Sequence, residues 1–112
     1  MERYFHKKLV RDKIPEIIKL KGDEFEIRVM DREEFERELK RKLVEEATEV
    51  LGVSPDALPK ELADVLELVK SIAEYYDIDF ELIEEKQAER RKERGGFKKR
   101  IFLIWSTQPA GK

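Results

Sequence analysis

Two long amphipathic segments, separated by a short turn containing glycine and proline, constrain the fold of this chain more than any other feature. The first segment runs from Asp31 to about Leu51, and Gly52 supplies a stop signal for a helix. The second begins at Pro59, which suits the first turn of a helix, and continues to about Tyr76. Because the connection is short, the sequence predicts two antiparallel helices that pack side by side.

Capping signals predict where the helices begin. Asp31 is a favourable N-cap, and Glu34 follows three residues later as a capping-box partner. Asp12 is predicted to cap a short first helix that ends at Gly22. Asp79 is predicted to cap a last, mostly polar helix that ends at the glycine pair preceding Phe97. The fold class predicted is therefore mainly α, an antiparallel helical bundle.

Two short segments have the pattern of β-strands. Residues 25–30 alternate apolar and polar side chains, and residues 100–105 are rich in β-branched and aromatic side chains. A lone strand has no hydrogen-bonding partner, so the two segments are predicted to pair into a small two-stranded sheet.

The composition limits the classes of protein to which the chain can belong. A length of 112 residues with 40% hydrophobic residues fits one domain, residues 1–112, with a modest core. The formal net charge of -2 argues for neither a nucleic-acid binder nor a membrane-surface protein. No apolar run could span a bilayer or serve as a signal-peptide core, so a cytoplasmic protein is expected. Abundant Glu, Lys and Arg with no Cys or Asn resemble the bias of hyperthermophile proteins.

Four carboxylates occur as two pairs with a spacing of three residues, Glu46 with Glu49 and Glu61 with Asp64. Residues three apart share a helix face, with Cβ atoms about 5–6 Å from each other, so each pair can converge on one cation. Helix phase places Glu46 and Glu61 on lines that are otherwise apolar. Both carboxylates are therefore predicted to face the seam between the two helices.

Carboxylates buried at such a seam require compensating positive charge. The chain has no Cys and a single His, so a bound metal would be held by oxygen, which suits Mg²⁺ or Mn²⁺ better than zinc. Mg²⁺ held by few protein oxygens binds substrate phosphates, which indicates phosphoryl or nucleotidyl chemistry. The alternative left open by spacing is that Glu46 and Glu61 lie at the rim and pair with Lys42 or an arginine.

The order of these acids resembles a known superfamily. Residues 45–49 read EEATE and residues 61–64 read ELAD, with the turn between them. This order is similar to that of the all-alpha nucleotide pyrophosphatases, which include MazG, dimeric dUTPases and phosphoribosyl-ATP pyrophosphohydrolase. The flanking blocks KLVRDKIPEII and ERGGFKKRI look like the small single-domain branch of predicted house-cleaning pyrophosphatases. The resemblance extends from Lys8 to about Leu103.

The resemblance implies a fold, a reaction and a set of site residues. It implies a bundle of MazG-like type that hydrolyses a nucleoside triphosphate, in this branch a noncanonical one, to the monophosphate and pyrophosphate. The implied cofactor is Mg²⁺, with Mn²⁺ as a substitute, and the implied assembly is a homodimer or a higher homo-oligomer. The implied magnesium ligands are Glu46, Glu49, Glu61 and Asp64. Glu45 and Glu46 are the candidate catalytic acids that take the proton of the attacking water.

Basic residues acquire a functional interpretation from the same resemblance, since a triphosphate needs cationic partners. Three lie in or beside the N-terminal block, and three follow each other at steps of four residues along the last helix. The alternative for any one of them is a solvated surface charge. The candidate substrate-binding residues are Lys8, Arg11, Lys13, Lys86, Arg90 and Arg94.

Two other functions remain open. A non-catalytic helical module that senses nucleotides or binds a protein would keep the same fold without turnover. RNA binding through residues 86–94 is the weaker alternative, because acidic residues interleave with the basic ones there.

Overall fold

The computed structural model describes residues 2–109, which contain four helices: α1 (Ile14–Leu20), α2 (Arg32–Glu49), α3 (Leu58–Tyr75) and α4 (Phe80–Arg94). The prediction of a mainly helical chain is confirmed. None of these helices is both long and apolar enough to cross a bilayer. The chain divides into two compact units, Met1–Ile78 and Asp79–Lys112. The assignment of residues 1–112 to one domain stays a prediction.

The start of α2 is fixed as the sequence predicts. The Asp31 side chain accepts a hydrogen bond of 2.9 Å from the backbone N–H of Glu34, which satisfies one of the free donors of the first turn. The Glu34 carboxylate in turn accepts two hydrogen bonds, of 2.6 and 2.7 Å, from the guanidinium of Arg28. This bidentate pair ties the preceding segment to the helix and lowers the pKa of Glu34.

The predicted cap of α1 is wrong, whereas that of α4 is confirmed. α1 has Lys13 at its N-cap with no side-chain cap, because a turn in which the Ile14 N–H bonds the Arg11 carbonyl at 3.1 Å places Asp12 too early. The Asp79 side chain caps α4 by accepting from the Glu81 N–H at 3.1 Å. α4 then ends, as predicted, at the glycine pair.

The predicted two-stranded sheet is not formed. Residues 2–109 contain no β-strand, and both residues 25–30 and residues 100–105 are irregular. Their apolar side chains are largely exposed, with Val29 at 93% and Phe102 at 89% of full accessibility. The prediction failed because a strand pattern describes compatible side chains, whereas a strand also needs a partner that supplies main-chain hydrogen bonds.

α2 and α3 pack antiparallel, as predicted. Near the start of α2, Glu36 accepts hydrogen bonds from the hydroxyls of Tyr75, at 3.2 Å, and Tyr76, at 2.6 Å, which lie at the end of α3. The Tyr75 hydroxyl also lies 3.1 Å from the Arg32 carbonyl, so its single proton is shared between the two acceptors. The Phe35 ring packs edge-on against Tyr75, with centroids 5.7 Å apart. We call this arrangement, defined by Glu36, Tyr75 and Tyr76, the tyrosine end of the pair.

The core between the helices is small. Among the described residues, the buried apolar side chains are Leu39, Leu68 and Ala73. The apolar periodicity of the sequence would place Leu51 and Leu62 on the inward faces of the two helices, but they are 87% and 51% exposed. Leu51 lies beyond the end of α2, where helix phase no longer applies. Leu62 is rotated by about 100° from the preceding residue of α3, which faces the seam.

Candidate metal centre

The other end of the α2–α3 pair brings three carboxylates together. Glu46 lies in the last turn of α2, and Glu61 and Asp64 lie in the first turns of α3. Because the helices are antiparallel, these turns are neighbours, and one carboxylate oxygen of each residue lies within 4.8 Å of the others. We call Glu46, Glu61 and Asp64 the carboxylate cluster. Three of the four predicted metal ligands therefore meet across the turn between the helices.

The carboxylate cluster is shielded from solvent. The side chains of Glu46, Glu61 and Asp64 keep only 14%, 12% and 26% of their accessible area. The Oε2 atom of Glu61 is fully buried and accepts no hydrogen bond. A buried carboxylate oxygen without a partner loses its hydration with no compensation, so this atom is a candidate acceptor for a positively charged group.

The pKa of Glu46 is raised above its ordinary value, which agrees with a deficit of positive charge around the carboxylate cluster. Burial raises the pKa of this carboxyl, a hydrogen bond with Glu49 and the charge of Glu49 raise it further, and Asp64 adds to the effect. Lys42 opposes the shift without reversing it. The direction of the shift shows that the surroundings of Glu46 disfavour its negative charge.

Three basic residues partly compensate the cluster. The Arg11 guanidinium donates to Asp64 at 2.8 Å. The ammonium groups of Lys42 and Lys60 lie 3.8 Å from Glu46 and Glu61 respectively. Contacts of this length are ion pairs but are too long for hydrogen bonds. The alternative pairing of Glu46 with Lys42 is therefore present, yet it leaves the buried oxygen of Glu61 unsatisfied.

The donor set fits a hard divalent cation. Mg²⁺ binds oxygens at about 2.0–2.1 Å, so two ligands on opposite sides of one ion are about 4.2 Å apart. The spacing of the carboxylate cluster, up to 4.8 Å, approaches this value, and small side-chain rotations would close the difference. Carboxylates alone, without nitrogen or sulfur, are the ligands that Mg²⁺ and Mn²⁺ accept readily. Glu46, Glu61 and Asp64 could thus hold such an ion.

The two remaining acids of the predicted site take different places. Glu49 lies outside the carboxylate cluster but within hydrogen-bonding reach of Glu46, so it borders the cluster. Glu45, the other candidate catalytic acid, is exposed on α2 beside Glu46 and outside the cluster. The structure thus brings together a core of three carboxylates with one further acid adjoining it.

The candidate substrate-binding residues belong to both units of the chain. Arg11 lies at the cluster through its bond to Asp64, whereas Lys8 and Lys13 are simply exposed. Three others lie on α4 in the second unit: Lys86, which pairs with Glu89 at 3.6 Å, and Arg90 and Arg94, which are exposed and have interaction partners of their own.

Lys60 is the residue at the cluster that sequence reasoning missed. Its ammonium group lies 3.8 Å from Glu61 and 3.7 Å from Asp64. The spacing of four residues between Lys60 and Asp64 was an available signal, because such pairs face each other on a helix. This spacing was not interpreted as part of the site because a lysine on a helix is usually a solvated surface charge.

Comparison with known proteins adds no relative. No family model, no curated protein and no solved structure matches this chain.

Proposed function

We propose that this protein is a Mg²⁺-dependent nucleoside triphosphate pyrophosphohydrolase of the all-alpha, MazG-like type, acting on noncanonical nucleotides in the cytoplasm. The observation that carries the proposal is the buried, unsatisfied Oε2 of Glu61 inside a cluster of three carboxylates. An acidic cluster at the protein surface would be solvated, and a salt-bridge network would satisfy its own oxygens. A buried oxygen left without a donor is better explained by a site that is completed by a cation.

The bound cation would polarise the triphosphate and lower the pKa of a nearby water. The residues of the chain have separate tasks around it. Glu46, Glu61 and Asp64 supply the oxygen ligands, with Glu49 beside them. The pKa of Glu46 is raised, by burial first, which makes this carboxylate a stronger proton acceptor than an ordinary glutamate. Glu45, exposed on the same turn, is the alternative proton acceptor.

Arg11 is suited to a role in substrate binding. Its guanidinium bonds Asp64 at 2.8 Å, and its side chain remains more than half exposed. An arginine held in this way can use its other N–H groups on phosphate oxygens, since the guanidinium presents several donors in a planar fork. The exposed Lys60 ammonium, between Glu61 and Asp64, adds positive charge at the same place.

The proposal predicts release of pyrophosphate from one or more nucleoside triphosphates in the presence of Mg²⁺. A panel of canonical, deoxy, methylated and oxidised triphosphates is the appropriate substrate set, assayed by pyrophosphate formation. Glu46→Gln and Asp64→Asn are each expected to lower kcat/KM by about 100-fold or more, because each removes a charge that holds the cation. Circular dichroism checks that both variants keep their helices.

Glu38→Gln is the matched control on the same helix. Glu38 pairs with Arg41 at 3.0 Å and is not part of the carboxylate cluster, so its loss should leave the rate unchanged. Full activity in both Glu46→Gln and Asp64→Asn would reject the site. Nucleotide binding with no pyrophosphate release from any member of the panel would favour the non-catalytic nucleotide-sensing module instead.

A homodimer or higher homo-oligomer is part of the proposal. The core is limited to three buried apolar side chains among the described residues, while Val44, Leu62 and Leu66 of the central helices are exposed. Association of copies would bury such surface, which stabilises by about 25 cal/mol per Å². Light scattering during gel filtration measures the mass, and a monomer at micromolar concentration would contradict this part.

A further inference from the structure

A pocket of about 350 Å³ lies at the end of α4, within the second unit. Five of its nine lining residues are cations, and none is a carboxylate. This segregation is unusual in a chain that carries 26 acids and 24 bases overall. The cations that line the pocket are Arg91, Arg94, Lys98, Lys99 and Arg100.

The end of a helix does not account for so much positive charge. Basic residues in a last turn are favourable because the helix dipole places about half a negative charge there. Arg94 also has an interaction partner of its own. The other four cations of the pocket still exceed the half charge of the dipole several-fold. Residues 95–109, which follow the helix, contain no Asp or Glu that could offset these charges.

The backbone holds Arg91 against the pocket. A Cβ atom on Gly96 would lie 2.8 Å from Nη1 and 3.2 Å from Cζ of Arg91, so the guanidinium lies directly over the Gly96 backbone. The helix ends because Gly95 has a φ of +83°, and its N–H bonds the Arg91 carbonyl at 2.8 Å. The missing side chain of Gly96 is therefore what allows the guanidinium to take this position.

A turn brings the remaining cations to the same place. The Arg100 N–H bonds the Phe97 carbonyl at 3.1 Å, which closes a turn around Lys98 and Lys99. Arg100 has a φ of +56°, a conformation that is strained for a residue with a side chain. Like charges held within one small pocket repel each other, and a multivalent anion would convert this repulsion into attraction.

The ligand chemistry follows from the number and type of cations. Arginine guanidinium groups bind phosphate oxygens through paired hydrogen bonds, and lysines add point charges. A single phosphate group carries a charge of only about −2, which balances fewer than half of the five cations, whereas a diphosphate or triphosphate chain carries more charge and extends further. The Phe97 ring lines the pocket and is 97% exposed, so it is available to stack on a base.

We propose that the pocket lined by Arg91 and residues 94–101 is a binding site for an oligophosphate anion, the di- or triphosphate chain of a nucleotide or inorganic tripolyphosphate. Binding here needs no divalent cation and no hydrolysis, so it stands independently of the function proposed above.

Isothermal titration calorimetry in EDTA tests the site with tripolyphosphate, pyrophosphate and a nucleoside triphosphate as probes. Wild-type protein is expected to bind tripolyphosphate saturably, with an affinity that falls as salt is added. Gly96→Ala displaces the Arg91 guanidinium, and Arg91→Ala removes it. Each variant is expected to weaken binding about tenfold, because charge-assisted hydrogen bonds to the anion are lost. Phe97→Ala should weaken only the nucleotide.

Gly52→Ala is the matched control. Nothing lies within 4 Å of a Cβ at Gly52, so the same substitution there should leave affinity unchanged. At Gly96 the crowded atoms belong to the far end of a flexible side chain, so thermal melting of Gly96→Ala should remain close to that of wild type. A loss of binding in this variant is then not a loss of folding.

Three results would overturn the inference: no saturable binding in EDTA, equal affinity in wild type, Gly96→Ala and Arg91→Ala, or tighter binding of single-stranded RNA that increases with RNA length. The outcome is separable from that of hydrolysis. Binding in EDTA without pyrophosphate release under Mg²⁺ rejects the enzyme alone, and release without binding in EDTA rejects the pocket alone.

Discussion

The two ends of the α2–α3 pair use the same kind of residue to opposite effect. At the tyrosine end, Glu36 accepts hydrogen bonds from Tyr75 and Tyr76, and these bonds, that of Tyr76 foremost, lower its pKa. At the carboxylate cluster, burial raises the pKa of Glu46, and Glu61 keeps an oxygen with no donor. One end is therefore complete within the chain, whereas the other is not.

The difference shows that a carboxylate between two helices can have donors that join the helices, or can retain an oxygen that no donor reaches. At the tyrosine end, two hydroxyl donors and the ammonium group of Lys40, at 3.5 Å, surround the single carboxylate of Glu36, and these contacts stabilise the antiparallel pair. At the carboxylate cluster, three carboxylates lie close together and most of the cations that pair with them are 3.7–3.8 Å away, so their mutual repulsion is only partly offset. The tyrosine end thus holds the helices in register, and that register creates the cluster.

The largest expected effect separates the two ends by their response to Mg²⁺. At a concentration about 100 times its dissociation constant, Mg²⁺ should stabilise the wild-type protein by about 2.7 kcal/mol. Glu61→Gln should lose most of this gain, because it removes a ligand, and in EDTA it should be at least as stable as wild type, because it removes repulsion. Urea unfolding with and without Mg²⁺ measures both quantities.

Glu36→Gln provides the comparison for that experiment. It lies at the tyrosine end and should keep the full response to Mg²⁺, even though its own stability is lower. An undiminished Mg²⁺ response in Glu61→Gln, or an equal loss in Glu36→Gln, would remove the distinction between the two ends.

A smaller effect is expected at the tyrosine end. Tyr76→Phe loses the hydrogen bond of 2.6 Å to Glu36 and should lower the free energy of unfolding by roughly 1–2 kcal/mol. The Mg²⁺ response should not change, since no metal ligand is altered. Tyr4→Phe is the control, because Tyr4 is 74% exposed. If Tyr76→Phe is as stable as wild type, the hydroxyl does not join the helices.

The smallest expected effect concerns the pH dependence of stability in EDTA, to which Glu46 and Glu36 should contribute with opposite signs. The pKa of Glu46 is raised on folding, so its contribution to stability is present at acid pH and is lost as the pH rises through the raised value. The pKa of Glu36 is lowered, so its contribution is present above the ordinary value and is lost as the pH falls.

Urea unfolding measures this effect in wild type, Glu46→Gln and Glu36→Gln. A range from about pH 3 to about pH 8 extends to both sides of the ordinary pKa of glutamate. Relative to wild type, Glu46→Gln should gain stability as the pH rises, and Glu36→Gln should lose it. Differences that do not vary with pH, or that vary with the same sign, would show that the two carboxylates have equivalent surroundings.

Much of the candidate site could be predicted because it depends on local spacing. Pairs three residues apart share a helix face whatever the rest of the chain does, so Glu46, Glu61 and Asp64 could be identified without coordinates. The contact of Arg11 with Asp64, across 53 residues, could not be derived in this way. The same applies to the pocket at the end of α4, of which only Arg94 was among the predicted binding residues.

The sequence by itself determined the four helices, most of their caps and the turn that makes α2 and α3 antiparallel, because these depend on hydrogen bonds and side chains within a few residues of each other. Only the tertiary structure decided which carboxylates meet, which oxygen is left without a donor, and that the two strand-like segments stay unpaired. These outcomes depend on partners distant in the chain, and periodicity in a sequence specifies a face without specifying what lies against it.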